Sequence, residues 1–365
     1  MIQLLSADGK LKSDAAAAEY LPYIEALSED QLRQFHRDMV ITRRFDLEAT
    51  NLQRQGQLAL WPPSQGQEAA QVGSARASRP QDHIFPSYRE HSIAMIRGLD
   101  ILEVVRVMRG ISNGGWDPAA SNNFHLYTLV LGSQALHATG YAMGVTLDGA
   151  TGTGDPERDE AVMVYFGDGS TSQGDVSEAL VFAASFQAPT VFFLQNNQWA
   201  ISVPVSVQSR VPLYLRAAGF GMPGIQIDGN DVLASYAVTR KYLDEARSGG
   251  GPRMIEAVTY RMGAHTTSDD PTKYRHDKDV GEWELKDPIT RYETYLRGRG
   301  EGDSFFTETA AEAEDFAADM RARTIALGPP SPDDFFDTVY TEYHPVTERQ
   351  KQWLADYESS FGGDA

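Results

Sequence analysis

Apolar and polar positions repeat along the chain with two different periods, and together they predict an α/β fold. Short apolar runs such as VMVYF at 162–166 and TVFFL at 190–194 are typical of buried strands. Other stretches have apolar residues at helical spacing, such as the helix that the capping-box pattern at 28–31 opens and that should end at Gly56. Because strands and helices alternate along the chain, we predict a mainly parallel sheet covered by helices on both faces.

The pattern changes near both ends of the chain, which predicts three regions. Residues 1–30 are mixed and contain Pro22, so we expect an N-terminal arm that packs on the rest of the protein rather than a core element. Residues 31–330 hold the strand–helix alternation and form the predicted α/β domain. Residues 331–365 follow a Gly-Pro-Pro break and predict a C-terminal helical tail.

Composition and charge narrow the classes of protein that fit this pattern. The chain has 365 residues, 41% of them hydrophobic, which is ordinary for a globular protein. Its formal net charge of −19 argues against a nucleic-acid binder. The absence of cysteine excludes disulfides, thiolate metal sites and cysteine nucleophiles. No apolar run approaches about 18 residues and no signal-peptide pattern is present, so we expect a cytoplasmic protein without a membrane partner.

The stretch from Gly167 to Asn197 carries the clearest chemical signal. One predicted strand ends in Gly167-Asp168-Gly169, and the next ends in Asn196-Asn197 after a turn and a helix. Asp168 and Asn197 should therefore meet at one edge of a parallel sheet. Carboxylate and amide oxygens suit a Mg²⁺ ion that also carries phosphate oxygens, and backbone N–H groups of such a turn bind phosphate. The stretch predicts a metal–diphosphate site; the alternative is a tight turn in which Asp168 caps the helix and the Asn pair forms a second turn.

Two further positions lie where predicted strands run into polar turns. Arg89, after Tyr88, could bind phosphate through two donors in a fixed fork, or it could be a surface arginine that pairs with Glu90. His265 follows an apolar strand and opens the polar segment 263–282. It could donate to a phosphate or to a reacting oxygen, or it could simply be bonded to backbone at the strand end.

Other polar residues leave their roles open at this stage. His125 follows an Asn-rich loop, and its sequence position leaves open whether it belongs to a site, whereas His137 is predicted to be a packed histidine on a helix of small residues. The segment after the last strand mixes both charges, at Arg261, Asp269, Asp270, Tyr274 and Arg275. It is either a solvated loop with weak ion pairs or a lid that becomes ordered when an anionic cofactor binds.

With these positions assembled, the chain resembles the alpha subunit of the thiamine-diphosphate-dependent decarboxylating component of 2-oxo acid dehydrogenase complexes. The similarity runs from about residue 30 to about residue 345. It is carried by GQEA at 66–69, Tyr88-Arg89, GDGSTSQGD and QNNQWAIS around the predicted metal site, GIQIDGND, AHTTSDDPTKYR and WELKDPITRY. Within the family the chain is more similar to branched-chain 2-oxo acid members than to pyruvate members, mainly through the double Asp of TTSDDP.

The resemblance implies thiamine diphosphate and Mg²⁺ as cofactors, bound by the 31–330 domain. Its implied metal ligands are Asp168, Asn197 and the backbone carbonyl of Trp199. Its implied cofactor-binding residues are Tyr88, Arg89, Leu131, Gly167, Asp168, Gly169, Ser170, Asn197 and His265. Among these, Leu131 would be the hydrophobic wedge that bends the cofactor. His265 would be catalytic in acyl transfer to a lipoyl group of the acyltransferase component.

Two departures and one missing group qualify this resemblance. Gln195 stands where some branched-chain relatives carry Arg, so one phosphate contact is weaker or is supplied elsewhere. Thr266 stands where mitochondrial relatives have a phosphorylated Ser, which puts kinase control there in doubt. No convincing carboxylate for the aminopyrimidine is present, and in this family a separate beta subunit supplies it. We therefore expect an α2β2 assembly and an inactive single chain.

Other functions remain open on the sequence. A pyruvate dehydrogenase or acetoin dehydrogenase alpha subunit would use the same metal–diphosphate site, and only the substrate pocket would differ. A non-catalytic regulatory subunit would retain the site without its activity. A dinucleotide-binding dehydrogenase is disfavoured, because no G-x-G-x-x-G with a downstream acidic residue follows an early strand.

Overall fold

The central feature of the computed structural model is a five-stranded parallel sheet. The structure describes residues 1–337 and 339–361, so the part of the predicted tail at 338 and 362–365 lies outside the described residues. The strands are β1 (His83–Phe85), β2 (Val162–Gly167), β3 (Thr190–Asn196), β4 (Trp199–Ala200), β5 (Val203–Pro204), β6 (Gly224–Asp228) and β7 (Arg253–Val258). The sheet has the order β1-β2-β3-β7-β6, and β4 and β5 form a separate antiparallel pair.

Helices precede, connect and follow these strands. The α-helices are α1 (Ala15–Ala18), α2 (Leu21–Glu25), α3 (Glu29–Arg54), α4 (Glu68–Ala77), α5 (His91–Ile96), α6 (Ile101–Arg109), α7 (Ser133–Leu147), α8 (Gly174–Phe186), α9 (Val205–Gln208), α10 (Arg216–Gly219), α11 (Val232–Glu245), α12 (Asp277–Glu284), α13 (Pro288–Gly298), α14 (Asp303–Ile325), α15 (Pro332–Phe336) and α16 (Pro345–Ser359). Within the described ranges, no helix is both long and apolar enough to cross a membrane.

The sheet is covered on both faces, as the sequence predicts. Side chains alternate along β2, so Met163 and Tyr165 belong to one hydrophobic core and Val164 and Phe166 to another. The first core includes residues of α3, α4 and α11, and the second includes residues of α7 and α8. The predicted α/β class is therefore confirmed, and burial on both faces explains why the strands read as continuous apolar runs.

Helix α3 begins as the capping-box pattern predicts. The Ser28 hydroxyl accepts from the Gln31 backbone N–H at 3.2 Å, and the Gln31 side chain accepts from the Ser28 N–H at 2.9 Å. The helix ends at Arg54, and Gly56 follows with a positive φ of 76°. The start and the stop of this long helix were thus both readable from local sequence.

The N-terminal arm packs closely on the sheet. Ile2 forms a parallel bridge with Ile227, and Leu4 and Leu5 are completely buried. The Asp231 carboxylate accepts the backbone N–H groups of Leu4 and Leu5, both at 2.6 Å. The first residues of the arm therefore belong to the core, contrary to the expectation from its mixed sequence. The three-region division itself stays a prediction.

The strand register determines which residues meet at the carboxyl edge of the sheet. Gly167 of β2 pairs with Gln195 of β3, so the residues that follow both strands leave the sheet side by side. Asn196 of β3 pairs with Val258 of β7, which brings the start of the 263–282 segment to the same edge. The turns that follow β1, β2, β3 and β7 therefore surround one place.

Candidate active site

A cavity of about 220 Å³ lies at this carboxyl edge of the sheet. Every residue that the sequence predicts for the cofactor and metal contributes to its wall. They are Tyr88, Arg89, Leu131, Gly167, Asp168, Gly169, Ser170, Asn197, Trp199 and His265. The structure thus brings together residues that are up to 177 positions apart, from Tyr88 to His265. Their individual roles stay predictions.

Asp168 is a buried carboxylate, with 1% of its surface exposed. One of its oxygens accepts from the Gln208 side-chain amide at 2.7 Å, and none of the described cations forms an ion pair with it. Burial raises the pKa of this carboxyl above its usual value. Asp168 does not cap α8, since no side-chain cap bond is formed at that helix start among the described residues. A buried carboxylate without a cationic partner favours a bound cation.

The turn after Asp168 has no room for a side chain at Gly169. A Cβ placed on Gly169 would lie 2.8 Å from the Cβ of Ala200, because the β4–β5 pair approaches the turn closely. Residues Asp168–Ser172 form a 3₁₀ turn, and Ser170 is almost fully buried. At Gly169 the turn therefore presents backbone rather than a side chain to the cavity, as a phosphate-binding turn requires.

The two adjacent asparagines point to opposite sides of the sheet edge. The Asn197 amide donates to the Gln67 side-chain oxygen at 2.8 Å, and its Oδ1 accepts from the Trp199 N–H at 3.2 Å. Asn196 instead donates to the buried Glu256 at 2.7 Å. The pair does form a tight turn, in which the Asn197 N–H donates to the Gln195 carbonyl. Only Asn197 lies at the cavity, so the strand alternation separates the two residues.

Arg89 is buried beside the cavity, with 6% of its surface exposed. Its guanidinium donates to the carbonyls of Pro63 and His265, the latter at 2.9 Å, and lies 5.3 Å from the centre of the Tyr88 ring. The alternative prediction of a surface arginine paired with Glu90 is wrong. Glu90 accepts from the Arg89 backbone N–H and not from its guanidinium.

His265 is held in its neutral form by its surroundings. Its Nδ1 lies 3.3 Å from an Arg89 guanidinium nitrogen and 3.4 Å from one of Arg261. Burial, followed by the charges of these two arginines, lowers the pKa of His265 to about 4. Because Nδ1 faces two donors, it acts as the acceptor and the ring proton lies on Nε2. The ring is therefore a hydrogen-bond donor at the cavity wall at neutral pH.

The segment around His265 is ordered by its own hydrogen bonds. The Asp269 carboxylate accepts from the His265 backbone N–H at 2.8 Å and also from the Tyr274 hydroxyl. Arg261 is completely buried and donates to the Tyr274 hydroxyl at 2.8 Å. Arg275 donates to the backbone carbonyls of residues 261–263. These contacts tie the segment to buried groups, so this part of the segment is not a loosely solvated loop with weak ion pairs.

Two further predicted residues, Asp270 and Trp199, lie in different surroundings. Asp270 is exposed, caps the 3₁₀ turn Pro271–Lys273 and lies 3.9 Å from the Lys273 ammonium, which is a solvated ion pair. Trp199 begins β4 at the cavity, and its carbonyl accepts from Arg261 at 3.4 Å. The carbonyl that is expected to bind a metal therefore also contacts a cation that orients His265.

His125 and His137, the other histidines considered in the sequence, lie away from the cavity. The His125 ring is stacked on Phe85 with centres 3.8 Å apart, and its Nε2 lies 3.0 Å from Nδ1 of His83. The prediction that His137 is packed is wrong, because it is exposed on α7. It lies one helical turn before the half-exposed Tyr141, while alanines on the other side of α7 form the packed face.

A buried network that the sequence did not reveal lies behind the Tyr88–Arg89 turn. The Glu90 carboxylate, 1% exposed, accepts from the Gln195 amide at 2.6 Å and from the Ser87 hydroxyl at 2.8 Å. Gln195 accepts in turn from Gln71 at 3.1 Å, and Gln71 also donates to the Arg89 carbonyl at 3.0 Å. Burial raises the pKa of Glu90. Through Glu90 and Gln71, Gln195 therefore helps to hold the backbone of the turn that carries Arg89.

The comparisons with known proteins show the family to which the chain belongs. The chain matches the family model described as "Dehydrogenase E1 component" over residues 36–313. It is 43% identical over 356 residues to the 3-methyl-2-oxobutanoate dehydrogenase subunit alpha of Mycobacterium tuberculosis, which covers 97% of this chain and 93% of that protein.

Two relatives with a different name are also similar. The chain is 41% identical over 276 residues to the pyruvate dehydrogenase E1 component subunit alpha of Acholeplasma laidlawii, covering 75% of this chain and 77% of that protein. It is 38% identical over 301 residues to the subunit of the same name from Bacillus cereus, covering 82% and 77%. The chain therefore belongs to the dehydrogenase E1 component family, the family of thiamine-diphosphate-dependent 2-oxo acid dehydrogenases, which confirms the predicted resemblance.

Proposed function

We propose that the chain is the alpha subunit of a branched-chain 2-oxo acid dehydrogenase. It would decarboxylate 3-methyl-2-oxobutanoate or a similar acid and transfer the acyl group to a lipoyl group of an acyltransferase component. The observation that carries the proposal is the convergence of Arg89, Asp168, Asn197 and His265 on one cavity. The relative named for this substrate is similar over 97% of the chain, compared with 75% and 82% for the two pyruvate relatives.

The donor set fits a magnesium ion that is shared with a diphosphate. Among the described residues, no group of three or more His, Cys, Asp or Glu side chains could hold a metal. A metal at Asp168 and Asn197 would therefore depend on amide and carbonyl oxygens, including that of Trp199, and on oxygens of its ligand. Mg²⁺ is typically bound in this way, through one or two carboxylates together with substrate phosphates.

The remaining wall residues fit the rest of thiamine diphosphate. Backbone N–H groups of Gly169 and Ser170 would donate to the diphosphate, and Tyr88, Arg89 and His265 would close over it. Leu131, half-buried in the wall, would supply the apolar contact that bends the cofactor. These local groups would offset the unfavourable field of a chain with net charge −19.

The chain's own residues would then orient the reaction. When bound, thiamine diphosphate supplies the electron sink for the loss of CO₂. Burial, together with the charges of Arg89 and Arg261, lowers the pKa of His265 and keeps the ring neutral, so its Nε2–H remains a donor throughout the ordinary pH range. In that state His265 would hold its Nε2 proton towards the reacting oxygen, and it would do so again during acyl transfer to the lipoyl group.

The cavity is incomplete as a decarboxylase site, which favours a beta subunit as partner. Among the described wall residues the carboxylates are Asp168 and Glu90, and Glu90 is occupied by Ser87, Gln195 and backbone. Large apolar side chains next to the wall are exposed, with Val130 at 74% and Ile201 at 55%. Such apolar exposure beside a cavity is typical of a surface that a partner covers. We therefore propose an α2β2 assembly whose second subunit supplies the missing carboxylate.

The test is steady-state kinetics with the chain alone and with the chain co-purified with its beta partner. The pair should turn over 3-methyl-2-oxobutanoate, whereas the single chain should not. The value of kcat/KM for 3-methyl-2-oxobutanoate should exceed that for pyruvate by about 10-fold or more, the typical effect of extra methyl groups in an apolar pocket. Turnover by the single chain would contradict the need for a beta subunit, and a preference for pyruvate would favour the pyruvate dehydrogenase alternative.

A further inference from the structure

The orientation of the Asn197 amide decides whether this residue can bind a metal. An asparagine presents an oxygen at one end of its amide and an NH₂ group at the other, and only the oxygen is a ligand. With Oδ1 towards the metal position, Asn197 coordinates; with the amide rotated, it presents a donor and repels the ion. Something in the chain must therefore select one of the two orientations.

Gln67 makes the contact that distinguishes them. Its Oε1 accepts from the Asn197 Nδ2 at 2.8 Å, while the Trp199 N–H donates to the Asn197 Oδ1 at 3.2 Å. Rotation of the Asn197 amide would place an oxygen against the Gln67 oxygen and an NH₂ group against the Trp199 N–H. Both contacts would then be lost in a buried place, where an unpaired polar group is costly.

Close contacts fix the backbone around Gln67, so the Gln67 side chain starts from a defined position. Gly66 has a φ of 95°, and a Cβ there would lie 2.2 Å from the Tyr260 carbonyl oxygen. The Gly66 carbonyl also accepts from the Thr259 hydroxyl at 2.6 Å, and the Gln67 N–H donates to the Ser64 carbonyl at 2.9 Å. This segment is therefore clamped against the end of β7, directly beside the cavity.

A second observation connects Gln67 with a ligand. Gln67 lines the cavity and is 1% exposed, yet its Nε2 has no hydrogen-bond partner among the described residues. Buried side-chain donors of this kind are rare in complete sites. The Gln67 oxygen is directed towards Asn197, so the NH₂ group of Gln67 has no partner until a ligand fills the cavity.

We propose that Gln67 is a positioning residue that fixes the Asn197 oxygen towards the metal, an inference that rests on the proposed function. It selects the coordinating orientation of Asn197, while the diphosphate is held mainly by other residues. Its removal should therefore change the requirement for Mg²⁺ more than the affinity for the diphosphate at saturating metal. Loss of a group that orients a metal ligand typically costs about 10–100-fold in metal affinity.

The test measures thiamine diphosphate binding by calorimetry over a range of Mg²⁺ concentrations, using the chain co-purified with its beta partner. Gln67→Met, which removes the acceptor at similar volume, should need about 10–100-fold more Mg²⁺ for half-saturation. Gln67→Glu keeps an oxygen acceptor for Asn197 and should return the Mg²⁺ requirement to the wild-type range or below it. Circular dichroism and thermal unfolding would report whether each variant is folded.

A double variant keeps the inference testable if Gln67→Met weakens folding. In an Asn197→Asp background both ends of the side chain are oxygens, so orientation no longer matters and adding Gln67→Met should cost much less Mg²⁺ affinity. Equal Mg²⁺ requirements for wild type and Gln67→Met, or equal losses in both backgrounds, would overturn the inference. A wild-type complex that binds no thiamine diphosphate at any Mg²⁺ concentration would instead overturn the proposed function.

Discussion

Burial keeps histidines neutral in several places of this chain, and two of these regions differ in that one lies at the cavity and the other does not. In the cavity wall, burial and the two arginines Arg89 and Arg261 lower the pKa of His265 to about 4. At the edge of β1, burial lowers the pKa values of His83 and His125 to about 4 as well, with a further contribution to His83 from His125. The pKa values of the histidines in both regions are therefore lowered to a similar extent.

The difference lies in what surrounds each ring. His83 uses Nδ1 towards His125 at 3.0 Å and Nε2 towards the Tyr141 hydroxyl at 2.9 Å, so neither nitrogen is left for a ligand. At His265 both nearby cations lie on the Nδ1 side, and the ring lines a cavity with a buried carboxylate. A lowered pKa therefore does not identify a functional histidine without a cavity and a free donor beside it.

The largest expected effect separates the two regions directly. His265→Ala should lower kcat by about 100–10,000-fold, the usual contribution of a positioned proton donor. His125→Ala removes a ring with an equally lowered pKa and should leave kcat within about twofold, because this ring does not touch the cavity. Both variants would be assayed with the beta partner under saturating cofactor. Similar losses in both would break the distinction between the regions.

A second pair of variants sharpens the same contrast at one strand end. Asn197→Ala should weaken Mg²⁺-dependent cofactor binding by about 100-fold or more, since it removes a proposed metal ligand. Asn196→Ala should leave that binding unchanged and destabilise the fold by about 1–3 kcal/mol, because it removes a donor from the buried Glu256. Calorimetry and denaturant unfolding would measure the two effects. An Asn196→Ala variant that loses cofactor affinity would argue against the separation.

Stability should distinguish the buried network behind Arg89 from the half-exposed contact at β1. Gln195→Leu leaves the Glu90 oxygen without its donor and should lower the free energy of unfolding by about 1–3 kcal/mol. Tyr141→Phe removes a hydroxyl from a side chain that is 40% exposed and should cost less than about 1 kcal/mol. Denaturant unfolding of both variants checks this order, and a larger cost for Tyr141→Phe would contradict it.

The smallest expected effect concerns the loss of folding stability at acid pH. His83 and His125 have pKa values of about 4 in the fold, whereas a histidine in the unfolded chain binds its proton near pH 6.5. The stability that depends on them is fully present above about pH 6.5 and is lost as the pH falls towards about 4. His125→Phe, which keeps a ring on Phe85, should therefore lose less stability between about pH 7 and 5.5 than wild type does.

That difference is at most about 1.4 kcal/mol per pH unit for one proton, and partial exposure of His125 makes it smaller. Denaturant unfolding at several pH values would measure it. Identical slopes for the variant and wild type would show that His125 contributes nothing to acid sensitivity.

The sequence predicts most of this fold because its signals are local. Apolar runs mark β2 and β3, and a capping box and a glycine mark the ends of α3. The role of Leu4 and Leu5 in the core could not be predicted, because it depends on Asp231, more than 220 positions away along the chain. A short apolar pair at a terminus carries no information about such a distant partner.

The same contrast between local signals and distant contacts applies to the candidate site. Arg89, Asp168, Asn197 and His265 come directly after predicted strands, so their meeting at one sheet edge could be expected. The contact between Gln71 and Gln195 could not, because it joins a helix and a strand that lie 124 positions apart. The one available signal was the helical spacing of Gln67 and Gln71, which places both amides on the same side of the α4 start.

The central claim is that Asp168 and Asn197 hold a metal for a diphosphate. The direct measurement is calorimetric titration of thiamine diphosphate into the chain co-purified with its beta partner, with Mg²⁺ and with EDTA, for wild type and the isosteric variant Asp168→Asn. We predict saturable binding by wild type that requires Mg²⁺ and that Asp168→Asn weakens by about 100-fold or more. Binding of equal strength in EDTA, or binding by Asp168→Asn that equals wild type, would contradict the account.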